Sequence, residues 1–241
     1  MKFKILSIVS VITISMIILT ACVINKEEST TLKQYNIEEV STIEVQTTAA
    51  NIKFVVSENN EVTVRASEKM KVNTTVSGDL LRITSDESEN GIVNLKGREI
   101  LVDIPASALM ELNVKTESGD IDVEDINLSS FKAASISGGI TVKRLNNHFT
   151  IINDSGKVEV AMSGDSIGHS SIKTNSGHIN IQISENLQAI AAETKSGKIV
   201  TSLFPETSIK SQNAGYRLHE GLEAEDDFLQ LNSISGNISI H

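Results

Sequence analysis

From about residue 106 onward, apolar and polar positions alternate at period two in short arms joined by Ser-Gly. The unit is Ser-Gly-x-(Ile/Val)-x-(Val/Ile). It stands at Ser118-Gly119-Asp120-Ile121-Asp122-Val123, Ser137-Gly138-Gly139-Ile140-Thr141-Val142 and Ser155-Gly156-Lys157-Val158-Glu159-Val160. It returns at Ser176-Gly177-His178-Ile179-Asn180-Ile181 and Ser235-Gly236-Asn237-Ile238-Ser239-Ile240. Ser196-Gly197-Lys198-Ile199 belongs to the series with Thr201 in its last apolar slot, and Asn213-Ala214-Gly215-Tyr216-Arg217-Leu218 is a weaker copy. Four residues before each Ser position stand Val114, Ala133, Ile151, Ile172, Ala192, Ile209 and Leu231. Six before, Leu112, Phe131 and Phe149 begin a second apolar column, while two before, Thr116, Ser135, Asn153, Thr174, Thr194, Ser211 and Ser233 are polar and small.

Period two on both arms predicts strands, and a repeat near twenty residues predicts stacked units that cannot bury their apolar faces alone. The expected fold is all-β: a parallel β-solenoid with about 20 residues and two main strands per coil. Coils stacking in chain order would set Val114 over Ala133, Ala133 over Ile151, Ile151 over Ile172, and Ile172 over Ala192. An antiparallel sandwich would instead pair residues about ten apart. At the corners, Gly119, Gly138, Gly156, Gly177, Gly197 and Gly236 are expected to supply a positive φ. Their partners Ser118, Ser137, Ser155, Ser176, Ser196 and Ser235 are expected to hydrogen-bond between coils.

Residues 37–105 read as an N-terminal meander continuous with residues 106–241 in one domain. Ile43 to Phe54 fits the same columns with Ala49 at the origin. Asn59-Asn60 before Val62-Thr63-Val64, and Ser77-Gly78-Asp79 before Leu80-Leu81-Arg82-Ile83, are hairpin signals. Ile100-Leu101-Val102-Asp103-Ile104-Pro105 returns to the stack, with Pro105 suited to a strand end.

Residues 1–21 read as a signal peptide: Lys2 and Lys4, an apolar run from Ile5 to Leu19, then Leu19-Thr20-Ala21-Cys22. The run is shorter than the roughly 20 residues of a spanning helix. Leu19 to Cys22 resembles the lipobox of bacterial lipoproteins. The resemblance implies cleavage before Cys22, a diacylglycerol on its sulfur, and an extracytoplasmic protein lipid-anchored to the cell membrane. Residues 22–36 then read as the lipidated Cys and a flexible tether. Losing Lys2 and Lys4 takes the net charge from −10 to −12. That acidity argues against nucleic acid and leaves a basic peptide as a suitable partner.

Chemistry is sparse. Without Trp, and with aromatics at 3% and two Tyr, the chain lacks the sugar-stacking platforms of a polysaccharide-cleaving β-helix. The Ser column recurs as architecture, whereas a nucleophile occurs once beside a His base. A calcium ladder would repeat Asp after Ser-Gly, where this chain puts Asp120, Gly139, Lys157, His178, Lys198, Gly215 and Asn237. His148, His169, His178, His219 and His241 share no metal-ligand spacing. Neither a metal nor another cofactor is expected. Glu220, Glu223, Glu225, Asp226 and Asp227 form the one acidic concentration, expected as a solvated loop.

The N-terminal meander, the Val102-Asp103-Ile104-Pro105 stretch and the Ser-Gly-Asp-Ile-type repeats together resemble the bacterial putative adhesin domain, a family of unknown function. The resemblance spans roughly residues 40–241. It implies a surface or envelope β-solenoid, sometimes tied to envelope-stress responses, with no established catalytic residues. The expectation is a non-enzymatic binding module for an envelope polymer, protein or basic peptide; the alternative is a carbohydrate-active β-helix enzyme.

Overall fold

The computed structural model describes residues 29–67, 70–85, 97–163, 167–183, 187, 189–212, 215–221 and 227–241. The signal peptide and Cys22 lie outside them, as do Glu223, Glu225 and Asp226. Among the described residues no helix is long and apolar enough to cross a membrane.

Each repeat folds as a rung of two strands on either side of its Ser-Gly corner. The central rungs are β8 (Met110–Thr116) with β9 (Ile121–Val123), β10 (Leu128–Ser135) with β11 (Ile140–Leu145), β12 (Phe149–Asn153) with β13 (Val158–Met162), and β14 (His169–Thr174) with β15 (Ile179–Gln182). Strands before the corner pair in parallel into one sheet, sheet 1, and those after it into a facing sheet, sheet 2. Val114 pairs with Ala133, Ala133 with Ile151, and Ile151 with Ile172. Leu112, Phe131 and Phe149 form the second column, buried completely with Ile151. The period-two pattern puts these aliphatic and Phe columns between the sheets and the polar positions outside. That alternation is the physical basis of the solenoid.

Chain order and stack order part company at both ends. β20 (Phe228–Ser233) and β21 (Ile238–Ile240) are the last strands in sequence, yet they lie inside the stack. They separate β14 and β15 from β16 (Ala189–Thr194) and β17 (Ile199–Thr201). Ile172 therefore pairs with Leu231, and Leu231 with Ala192; the direct contact of Ile172 with Ala192 is not made. The other end mirrors this. β2 (Thr42–Thr47) and β3 (Asn51–Ser57) sit between β8 and β9 on one side and β6 (Leu80–Ser85) and β7 (Glu99–Pro105) on the other.

Antiparallel strands finish both ends. β5 (Val72–Ser77) forms a hairpin with β6 through Gly78, whose φ is +62°. β4 (Glu61–Ser67) pairs antiparallel with β7, which separates it from β3, so the hairpin expected at Asn59-Asn60 does not form. β1 (Ser29–Asn36) pairs antiparallel with β4, so residues 29–36 are strand where a tether was expected, and Tyr35 is buried. At the far end β18 (Ile209–Gln212) and β19 (Gly215–Glu220) form an antiparallel hairpin on β16. The weak copy around residue 213 is thus no coil: Ile209 meets Leu218 across the hairpin, and Leu218 is buried against Ala192. Among the described residues sheet 1 has eleven strands and sheet 2 ten, a rod about 45 Å long at ~4.8 Å per strand.

Candidate functional site

The Ser-Gly corners set how closely successive rungs approach. None of Gly119, Gly138, Gly156, Gly177, Gly197 and Gly236 has a positive φ, which corrects the expected reason for glycine. The real constraint is approach between rungs. A Cβ on Gly138 would stand 1.8 Å from the Gly119 carbonyl oxygen, and one on Gly156 would stand 2.0 Å from that of Gly138. Gly236 faces the Gly177 oxygen and Gly197 faces the Gly236 oxygen in the same way, retracing the stack order through the intercalated rung.

Buried side chains close each corner. The Gly138 N–H donates to Ser135 Oγ at 2.9 Å, that of Gly197 to Thr194 Oγ1 at 3.0 Å, and that of Gly156 to Asn153 Oδ1 at 2.7 Å. Asn153 also donates its Nδ2 to the Gly138 carbonyl at 2.8 Å, tying two rungs together. The corner Ser hydroxyls reach across too: Ser118 to Thr48 O, Ser137 to Glu117 O, Ser155 to Ile136 O, Ser196 to Ile234 O, and Ser235 to Asn175 O, all at 3.1–3.3 Å. Ser176 joins the neighbouring rung through its backbone N–H, which donates to Asp154 O at 2.8 Å. His178 belongs to this ladder, with Nδ1 accepting from the Asn237 N–H at 3.0 Å. The hydrogen bonds of these serines are thus part of the stacking of rung on rung.

Two outer faces remain. On sheet 2, Glu124 bonds Lys53 at 3.0 Å and lies 3.5 Å from Lys143. The Lys53 hydrogen bond holds the Glu124 carboxyl below its usual range and raises Lys53 in turn. The neighbouring Asp122 is pushed up, first by desolvation among its strand neighbours and then by Asp120. Asp122 is exposed on the flat strand face, so water tempers that shift. No group of three or more His, Cys, Asp or Glu among the described residues is placed to hold a metal. Asp227 departs from the solvated loop expected of the acidic stretch. It is buried, and its Oδ1 accepts from the N–H groups of Ile167 at 2.6 Å and Gly168 at 3.0 Å.

On sheet 1, the outward column three residues before each corner reads Lys115, Ala134, Ile152 and Lys173 across successive rungs. Ile152 is 53% exposed, and Ile136 beside it is 54% exposed. Shallow open depressions of the surface run over this strip, floored by Ala134 and Ile152 and bordered by Lys115, Lys132 and Lys173. The strip was not among the sites expected from the sequence. The signal was present, since Ile136 and Ile152 fall on outward positions of an otherwise polar pattern.

A family model described as Toastrack DUF4097 matches residues 40–241, most of the chain. The chain belongs to that family. The Toastrack chain is also similar to a solved structure described as a putative cell adhesion protein from Clostridium sporogenes, with 14% identity and a TM-score of 0.53. That match covers 88% of this chain and 99% of the other. A putative adhesin from Bacteroides fragilis has 13% identity and a TM-score of 0.38, covering 89% and 98%. A putative lipid binding protein from Parabacteroides distasonis has 14% identity and a TM-score of 0.37, covering 89% and 96%. At these identities the Clostridium structure supports the fold alone. None of the curated proteins searched matches the Toastrack chain.

Proposed function

We propose that this Toastrack chain is a non-enzymatic binding module, held to the outside of a bacterial cell membrane by lipid on Cys22, whose partner docks on the outer face of sheet 1. The observation that carries the reading is the strip of exposed Ile136 and Ile152 beside half-buried Ala134 on the outer face of sheet 1, bordered by Lys115, Lys132 and Lys173. A rigid two-sheet rod holds these side chains at fixed spacing, so docking requires little ordering of the module. Contiguous exposed apolar surface rimmed by polar residues is a mark of interaction sites, and here Ala134, Ile136 and Ile152 adjoin across two rungs beside Lys115 and Lys173.

The test is capture from envelope extracts with residues 23–241 as bait, beside the Ile152→Asp variant. A species recovered by the parent chain and lost with the variant supports the reading; equal recovery overturns the assignment of the face. For the anchor, Cys22→Ser is expected to abolish lipid labelling and retention at the membrane. Unchanged labelling would refute it.

The enzymatic alternative has its best carboxylates in Asp122 and Glu124, which have pKa values pushed in opposite directions. Glu124, however, is committed to Lys53 and Lys143. Hydrolysis of wall or capsule polymers that disappears in Asp122→Asn would favour that alternative.

A further inference from the structure

The sheet 1 strip has a polarity pattern more specific than a generic sticky patch. Along the solenoid axis its central column is cation, small apolar, large apolar, cation: Lys115, Ala134, Ile152, Lys173. Three rung spacings separate the end lysines, about 14 Å at ~4.8 Å per rung. Both end lysines are exposed, and neither makes an ion pair with a described residue, whereas Lys132 in the next column lies 3.6 Å from Glu111. On the corner side Asp154 accepts from the Asn175 amide, so the nearest acid there is already engaged.

An extended peptide places every second side chain on one face and rises ~3.4 Å per residue, so its positions i and i+4 stand about 14 Å apart. That distance matches the lysine spacing, and position i+2 falls over Ala134 and Ile152. We infer that this column docks an extended protein segment of pattern acid-x-apolar-x-acid, lying along the solenoid axis with its two carboxylates on Lys115 and Lys173. The inference rests on sheet 1 being the binding face. A polyanionic polymer would satisfy the lysines but leave hydrated chain against Ile152. An acyl chain calls for a deeper, largely enclosed apolar cavity than these open depressions provide.

The experiment titrates isotope-labelled residues 23–241, which hold every described strand, with acetyl-Glu-Thr-Leu-Thr-Glu-amide. Parallel titrations use the peptide with both Glu replaced by Gln, the peptide with Leu replaced by Ser, inorganic polyphosphate, and phosphatidylglycerol vesicles. Amide shifts confined to the neighbourhood of Lys115, Ala134, Ile136, Ile152 and Lys173 are expected. Either peptide replacement should weaken binding at least about fivefold, equivalent to ~1 kcal/mol. Lys115→Gln with Lys173→Gln should remove the Glu dependence, while Lys157→Ala on the other sheet should change nothing. Equal binding of the Gln peptide, or tighter binding of polyphosphate or vesicles at the same residues, overturns the inference. If the peptides fail while Ile152→Asp still abolishes capture from extracts, the face stands and the peptide assignment falls. If capture too is indifferent to Ile152, the face itself is wrong.

Discussion

The four central rungs and the parallel rungs towards the two ends of this rod share the same columns, yet they are assembled by different rules. In the centre, residue order is stack order: Thr116, Ser135, Asn153 and Thr174 follow one another as their rungs do. At each end a terminal part of the chain is threaded one position inward, and antiparallel strands close the outside. The difference shows that the repeat encodes what a rung is, while the neighbours of each rung are chosen by the whole chain.

Removal of residues 228–241 should have the largest effect. In a stack built in chain order they would form a dispensable end; here they join β15 to β17 and β14 to β16. Leu229, Leu231, Ile238 and Ile240 are fully buried, and each would cost ~2–5 kcal/mol if truncated to Ala. Their combined loss is as large as a typical total stability of about 5–15 kcal/mol. No cooperative unfolding transition should remain in urea, and a near-normal midpoint would refute the intercalated order.

Next in size is Gly156→Val. A Cβ 2.0 Å from the Gly138 oxygen forces two rungs apart, so the loss should exceed the roughly 1–3 kcal/mol of ordinary overpacking. Lys157→Ala, next along the chain and exposed, should stay within about ±0.5 kcal/mol. Similar urea midpoints for the two would contradict the glycine contact.

Leu231→Ala against Ile151→Ala sharpens the comparison directly. One residue belongs to an intercalated rung and the other to the centre, yet both are fully buried between paired strands. Both should lose ~2–5 kcal/mol and lower the urea midpoint alike. A Leu231 effect under half that of Ile151 would mean the last rung is loosely held.

The smallest effects concern the junction where β3 meets β9. Glu124 has a lowered folded pKa because of Lys53, so its contribution is present above the unfolded carboxylate pKa and fades as pH falls through the folded value. Glu124→Gln should therefore lower stability at neutral pH by at most about 1 kcal/mol, less in high salt. Asp122 has the opposite sign. Its raised folded pKa favours the native state only in acid, so Asp122→Asn should slightly raise Tm at neutral pH and lose that advantage below the carboxylate range. Melting curves from acid to neutral pH check both signs.

The rungs were legible because a period-two pattern with buried Ile, Val and Phe leaves few alternatives, and Phe131 beside Phe149 follows from it. Their order was illegible for a physical reason. Leu231 fills the column beneath Ile172 as well as Ala192 does, so no local chemistry tells the two neighbours apart. Gly156 shows a second limit: glycine is selected both where φ is positive and where another backbone comes close, and the letter is the same. Tyr35 shows a third, because one buried aromatic in a polar run gives no period to read. The sheet 1 strip was visible as Ile136 and Ile152 in outward slots, but its meaning depended on which lysines the stack would bring beside them.

The threading of both ends makes completion of the sheets a test of the entire chain. The early strands β2 and β3 gain their neighbours in the stack only when β6 to β9 are available. The gap between β14 and β16 is filled only by residues 228–241. Such pairing over long sequence separations is slow and is settled late. A chain that stops before residue 228 therefore leaves β14 to β17 with open strand edges, the kind of edge that pairs with other chains.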